Sequence, residues 1–366
     1  MRTHSPENER IKRAYFTYLK EARRLSEPTI DAAAAAISRF EAYTKYRDFK
    51  SFHIQKAVGF KRKLAEQINR RTGQPLSKQT LYATLRALRA FFHWLAGQSG
   101  YRSRLAYADA DYFNLSDKET RIAKASSEKV VPTVEQILHV LSRMPTATEI
   151  DRRNQALIAF TLLTGARDGA IVSLKLKHLD IAEGKLVQDA REVKTKFSKS
   201  FTTWFFPVPG EVQKIVADWV AFLETHKLFG PADPLFPKTR VERDDHHAFR
   251  AVGLSRAHWS NATPVRTIFK EAFEHAGLPY ANPHSFRNTL AQLGQRVCRM
   301  PEDFKAWSQN LGHEKVMTTF SSYGQVPDER QRDLMRGLAR KPEGTAENER
   351  LVSELLRVLE TAKYGD

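Results

Sequence analysis

Residues 283–296 read PHSFRNTLAQLGQR, and their first five positions decide how the rest of the chain is read. Pro283 suits the first turn of a helix, where its missing N–H would have had no partner anyway. A helix over 285–296 follows from it. His284 and Arg287 are three apart, so a helix start presents both on one face. Alone, such a pair is more often a capping histidine beside a structural ion pair. Three more segments stand in order around it. Upstream, Leu163-Thr164-Gly165-Ala166-Arg167 ends a buried helix at a glycine and hands an arginine to the next helix start. Glu192-Val193-Lys194-Thr195-Lys196 puts Lys194 on or beside a strand turn. Downstream, Leu311-Gly312-His313 is followed by Thr318-Thr319 and then by Tyr323-Gly324.

Each of these residues taken singly has a structural reading: an ion pair, a solvated lysine, a half-buried tyrosine. In order they form Arg, Lys, His-x-x-Arg, Leu-Gly-His, Tyr, and in this the chain resembles the tyrosine recombinases of the phage integrase family. The resemblance covers roughly residues 10–335. It implies a mainly α fold with a small antiparallel β-sheet: an all-α core-binding bundle, then an α+β catalytic domain. It also implies Arg167, Lys194, His284, Arg287, His313 and Tyr323 as the catalytic set, with double-stranded DNA as substrate and a homotetramer on DNA as the working assembly. No cofactor and no metal are expected, and the expected location is cytoplasmic, on the nucleoid when bound to DNA.

The chemistry accounts for these residue types travelling together. A phosphodiester is anionic and resists nucleophiles, and two guanidiniums can clamp its non-bridging oxygens bidentately where lysine would be a point charge. A tyrosine hydroxyl, with a pKa near 10, needs a cationic pocket or a base, a role that falls to His284 by motif. The departing 5′-oxygen needs a general acid, which by resemblance is Lys194; Lys196 lies two residues on, and the choice between them rests on the likeness of Val193-Lys194-Thr195 to the family hairpin. His313 would bond the phosphate or orient the site. The product is a 3′-phosphotyrosyl link at Tyr323, which stores the bond energy for religation. Two departures stand out. The family places an acidic residue three positions after the first arginine, where this chain has Ala170; either Asp168 substitutes or that support is missing. His313 and Tyr323 are one residue further apart than the commonest spacing. Two other readings share the features: a type IB topoisomerase, and a DNA-binding relative without activity.

Charge and composition point the same way. The 366 residues carry 59 Lys and Arg against 42 Asp and Glu, a formal +17, which indicates a polyanionic partner. Residues 1–118 hold 23 of those cations against 11 anions, so most of the excess sits in the first third. One cysteine, Cys298, excludes an internal disulfide framework. The longest apolar run is too short to span a bilayer, and MRTHSPENERIKR lacks the apolar core of a secretory signal.

The same periodicities organise the chain. Helices are expected over 9–24, from Ser26 to Tyr43, around Ile54–Leu64, and from Ser77 through Leu95 with a basic face at Lys78, Arg86, Arg89 and His93. The core-binding domain is placed at 1–116. Residues 117–131, polar and aperiodic, are expected to be a linker to a catalytic domain over 132–341, the two domains clamping the duplex. Thr133-x-x-Gln136 reads as a capping box opening a helix at Val134. Residues 184–208 read as two or three antiparallel strands, and helices are expected over 212–223, 265–275, 285–296 and 303–310. Leu351, Val352, Leu355, Leu356 and Leu359 draw a stripe on a last helix within 342–366, expected to dock in cis or on a neighbour. Asp244-Asp245-His246-His247 is read as a solvated loop, not a metal site.

Overall fold

The computed structural model describes residues 4–69, 72–125, 131–195, 198–243 and 248–313, with 332–333, 335–336, 353–354 and 357 beyond them. It divides into two compact units, Met1–Ser127 and Glu128–Asp366. The architecture is mainly helical with small antiparallel sheets, as expected from the sequence. No helix of the described residues is long and apolar enough to cross a membrane.

In the first unit, α1 (Pro6–Thr17) runs into a π-helical turn at Tyr18–Ala22, so the expected helix over 9–24 changes pitch partway. The turn keeps Leu19 buried after Ile11 and Tyr15. Next come α2 (Glu27–Tyr43), α3 (Ile54–Ala65) and α4 (Lys78–Ala96). Ser77 caps α4 by accepting the Thr80 N–H at 3.1 Å. Leu81, Leu85, Leu88, Phe91, Phe92 and Leu95 of α4 are buried, while Lys78, Arg86, Arg89 and His93 are exposed. Phe92 is the hub of an aromatic core, its ring centroid 4.3–5.2 Å from those of Phe40, Phe52, Phe91 and Phe113.

The expected linker begins with a helix, α5 (Asp117–Lys124). Ser116 accepts the Glu119 N–H at 3.3 Å and the Glu119 carboxylate accepts the Ser116 N–H at 3.1 Å, a complete capping box. Only Ala123 of α5 is buried, which is why no apolar period marks it. The bundle therefore continues past residue 116.

The second unit opens with α6 (Val134–Arg143), whose Thr133–Gln136 capping box forms as read, and continues with α7 (Glu149–Thr164) and the single turn α8 (Asp168–Ile171). A three-stranded antiparallel sheet follows, β1 (Leu179–Asp180), β2 (Lys185–Gln188) and β3 (Phe201–Trp204), in that order. After α9 (Gly210–Thr225) comes a hairpin that the sequence reading did not anticipate, β4 (Thr239–Arg243) and β5 (Phe249–Leu254). Its strands are largely solvent-exposed, and its root is fixed by α7. Glu149 Oε1 accepts the Leu254 N–H at 2.7 Å, and Arg153 Nη1 donates to Pro237 O at 3.1 Å and Thr239 Oγ1 at 2.9 Å. Helices α10 (Thr263–His275), α11 (Pro283–Val297) and α12 (Pro301–Asn310) complete the described unit. Tyr323, Lys196, Asp244–His247 and the apolar stripe from Leu351 to Leu359 lie outside the described residues.

Candidate active site

Helix α7 is buried from Ala156 to Thr164 and stops at Gly165, whose φ of 61° lies in the left-handed region. The glycine is needed for a second reason: a Cβ there would lie 3.0 Å from a Leu290 methyl and 3.2 Å from one of Leu311. The reversal delivers Arg167, extended at φ −76° and ψ 145°, to the N-cap position of α8. Its guanidinium is half-buried, and that burial lowers its pKa.

Helix α11 is capped by Asn282, which accepts the Ser285 N–H at 3.1 Å, with Pro283 in its first turn. Arg287 is 4% exposed. Its Nη1 donates to Gly165 O at 2.6 Å; its Nη2 donates to Leu311 O and lies 3.0 Å from His313 Nε2; its Nε has no hydrogen-bond partner among the described residues. Burial, and then the charge of Arg167, push the Arg287 pKa down to about 9. The two guanidiniums are thus close enough to oppose each other. Among the described residues neither forms an ion pair with a carboxylate.

The Leu311-Gly312-His313 segment is the reversing end of α12. The His313 N–H donates to Ser308 O at 3.1 Å and the Gly312 N–H to Gln309 O at 2.7 Å, a Schellman motif with Gly312 at φ 65°. Leu311 is fully buried in the core and His313 is half-buried beside Arg287. A guanidinium only donates, so His313 Nε2 accepts and the ring proton sits on Nδ1.

Residues 131–330 match the sequence model of the phage integrase family. The chain belongs to that family of tyrosine recombinases. A tyrosine recombinase XerC of Pseudomonas putida is 24% identical over 313 residues, covering 84% of this chain and 88% of the relative. One of Lactobacillus delbrueckii subsp. bulgaricus is 24% identical over 266 residues, covering 69% and 77%. Among solved structures, a lambda integrase dimer bound to a COC′ core site superposes with a TM-score of 0.58 at 13% identity, over 87% of this chain and 97% of that one. The Tn1549 transposon integrase bound to transposon right end DNA gives 0.57 at 15% identity, over 90% and 99%.

Lys194 lies in the connection between β2 and β3. Its side chain is exposed, while its N–H donates to Ser173 Oγ at 2.9 Å. Glu192, two residues earlier, is bound by Lys175 at 3.0 Å and Lys177 at 2.8 Å; Lys177 and then Lys175 hold its carboxyl down at about 2. His284 is exposed on the first turn of α11. Asp168 does not serve Arg167. Its Oδ2 pairs with Arg266 Nε at 2.7 Å and its Oδ1 accepts the Gly169 N–H at 2.8 Å, while Ala170 is packed in the core at 1% exposure.

Two site residues escaped the sequence reading. Asn310 joins the His313 turn to β3: its Oδ1 accepts the Trp204 N–H at 2.7 Å, its Nδ2 donates to Trp204 O at 2.8 Å, and its own carbonyl accepts from Thr203 Oγ1 at 3.1 Å. His258 is half-buried and hydrogen-bonded to the Val172 backbone; burial lowers its pKa, and the charges of Lys175 and Lys194 add to that. Neither carries a local sequence signal, because each acts through the backbone or charge of a distant segment.

Proposed function

We propose that this protein is a site-specific DNA recombinase that cleaves and rejoins strands through a 3′-phosphotyrosyl intermediate at Tyr323. The observation that carries the reading is the convergence of Arg167, Arg287 and His313. Two desolvated guanidiniums opposing each other, with one buried Nε unpartnered among the described residues, make a site whose charge calls for an oxyanion.

In the proposed reaction Arg167 and Arg287 bind the scissile phosphate, and His313 orients Arg287 and contributes to the phosphate site. Tyr323 attacks phosphorus, with His284 assisting removal of its proton. Lys194 protonates the departing 5′-oxygen. Reversal of these steps against a different 5′-hydroxyl joins the new partner. The exposed cations of α4 supply part of the sequence-independent affinity for duplex DNA, so binding weakens as salt rises. Four protomers on two duplexes form the assembly. Deleting residues 343–366 should spare cleavage and reduce pairing of duplexes in a native gel; unchanged pairing would remove that segment from the interface.

Trapping on a nicked suicide duplex that carries the recombination site, recovered from DNA flanking the gene, tests the reading. Wild-type protein becomes covalently attached and Tyr323→Phe does not; equal adduct from both would exclude Tyr323 as nucleophile. The diversion of Asp168 to Arg266 and the apolar Ala170 favour one second reading, a DNA-binding relative that does not cleave. Binding to the site with no adduct from wild-type protein is its signature.

A further inference from the structure

We infer that Ser173 is a positioning residue for the general acid, its hydroxyl tying the main chain of Lys194 to the element that begins at Arg167. This rests on the proposed role of Lys194. Ser173 Oγ accepts the Lys194 N–H at 2.9 Å and donates to Ala170 O at 2.9 Å. The residue is only 9% exposed, and one hydroxyl serves both bonds in their complementary senses. Ala170 belongs to α8, which starts directly after Arg167, so the backbone of the acid takes its reference from the phosphate clamp and not only from its own hairpin.

The two residues before Lys194 are held as well. Val193 is a core residue at 2% exposure, and Glu192 is bound by Lys175 and Lys177 from the chain that leaves α8. Residues 192–194 are thus pinned at each position, while the Lys194 side chain remains exposed. The reach of a flexible four-carbon stem is set by where its backbone is anchored. Loss of the Ser173 bond leaves the Glu192 and Val193 anchors in place, so the segment stays folded but the acid is no longer registered to Arg167.

In cleavage the Tyr323 Oη–P bond forms and the P–O5′ bond breaks. The bonding pair leaves on O5′, which takes a proton from Lys194 Nζ. That transfer requires hydrogen-bond reach, and a misplacement of about 1 Å costs on the order of 10²-fold in rate. Sulfur in place of the bridging O5′ removes the requirement. A thiolate, whose conjugate acid has a pKa of about 8.5 against about 15.7 for water, departs without protonation.

The test is single-turnover cleavage of the suicide duplex with oxygen or sulfur at the bridging 5′ position, by full-length wild-type, Ser173→Ala and Lys194→Ala proteins. Ser173→Ala is expected to slow the oxygen substrate by about 10- to 100-fold and the sulfur substrate by no more than about threefold. Lys194→Ala should show the same pattern with a deeper loss on oxygen. If Ser173→Ala slows both substrates equally, or neither, while Lys194→Ala is rescued by sulfur, the role of Ser173 is overturned. If Lys194→Ala is slowed equally on both, the role of Lys194 as the acid fails, and this inference with it.

Discussion

Arg287 Nη2 lies 3.0 Å from His313 Nε2, and the same guanidinium holds the Gly165 and Leu311 carbonyls. One side chain therefore joins three separate parts of the sequence: the end of α7 that delivers Arg167, the start of α11, and the reversing turn of α12. Three of the motif segments are thereby joined through hydrogen bonds of one guanidinium. The interior of this junction is electrostatically unfavourable, because burial and the charge of Arg167 both act against the charged form of Arg287.

An oxyanion that binds between Arg167 and Arg287 should therefore stabilise the protein. At a concentration 100 times its Kd the gain is about 2.7 kcal/mol. Sulfate or phosphate is expected to raise the Tm by several degrees over chloride at matched ionic strength, and Arg287→Ala to abolish most of that gain. The same substitution should lower single-turnover cleavage by about 10²–10³-fold, the usual loss for one transition-state donor. A wild-type Tm that ignores sulfate would argue against an anion site here.

Gly312 is the residue in this junction least able to change. It sits at φ 65°, and a Cβ would approach the Phe201 ring at 2.7 Å. Gly312→Ala is expected to destabilise by about 2–4 kcal/mol, from left-handed strain and overpacking together. Phe201→Leu in the same chain should recover part of the packing cost but none of the strain. Thermal denaturation of the two single variants and the double variant separates these contributions, and purely additive losses would refute the Phe201 contact.

How much of this was legible follows from where each signal lives. The α4 face, the Thr133–Gln136 capping box and the Gly165 stop were readable because their determinants are local. Helix α5 was missed although Ser116 and Glu119 cap it, because only Ala123 is buried and no apolar period follows. The β4–β5 hairpin was missed because its strands are largely exposed and do not alternate; Glu149 and Arg153, on α7, fix its root. In the candidate site, motif order pointed to Arg287, His313 and the Gly165–Arg167 turn, which the fold brings together. Ser173 and Asn310 were not readable, since what matters is the backbone groups they bind, at Lys194 and at Trp204.

Asp168 provides a direct check on the missing carboxylate. Its pairing with Arg266, which is 58% exposed, should contribute under about 1 kcal/mol. Asp168→Asn is accordingly expected to shift stability by less than that and to leave the cleavage rate within a few-fold of wild type. A loss of about 10²-fold, comparable to removing an oxyanion donor, would show that Asp168 supports Arg167 during the reaction.

The pH dependence of stability should have a histidine component distinct from the carboxylates. Burial lowers the pKa of His178, against the pull of Glu192 and with help from Lys177 and Lys175; burial also lowers that of His258, near Lys175 and Lys194. Both start from an ordinary value of 6.5, so below it the unfolded chain binds more protons than the folded one and stability falls as pH falls. Glu192, held at about 2 against an ordinary 4.5, loses its contribution only at and below the carboxylate range. Between about pH 7.5 and 5.5 the Tm is thus expected to drop by a few degrees. His258→Gln, which removes one of the two titrating rings, should flatten that slope while leaving the steeper loss below about pH 4.5 in place. A Tm that holds level across the histidine range in the wild type would contradict the burial of both rings.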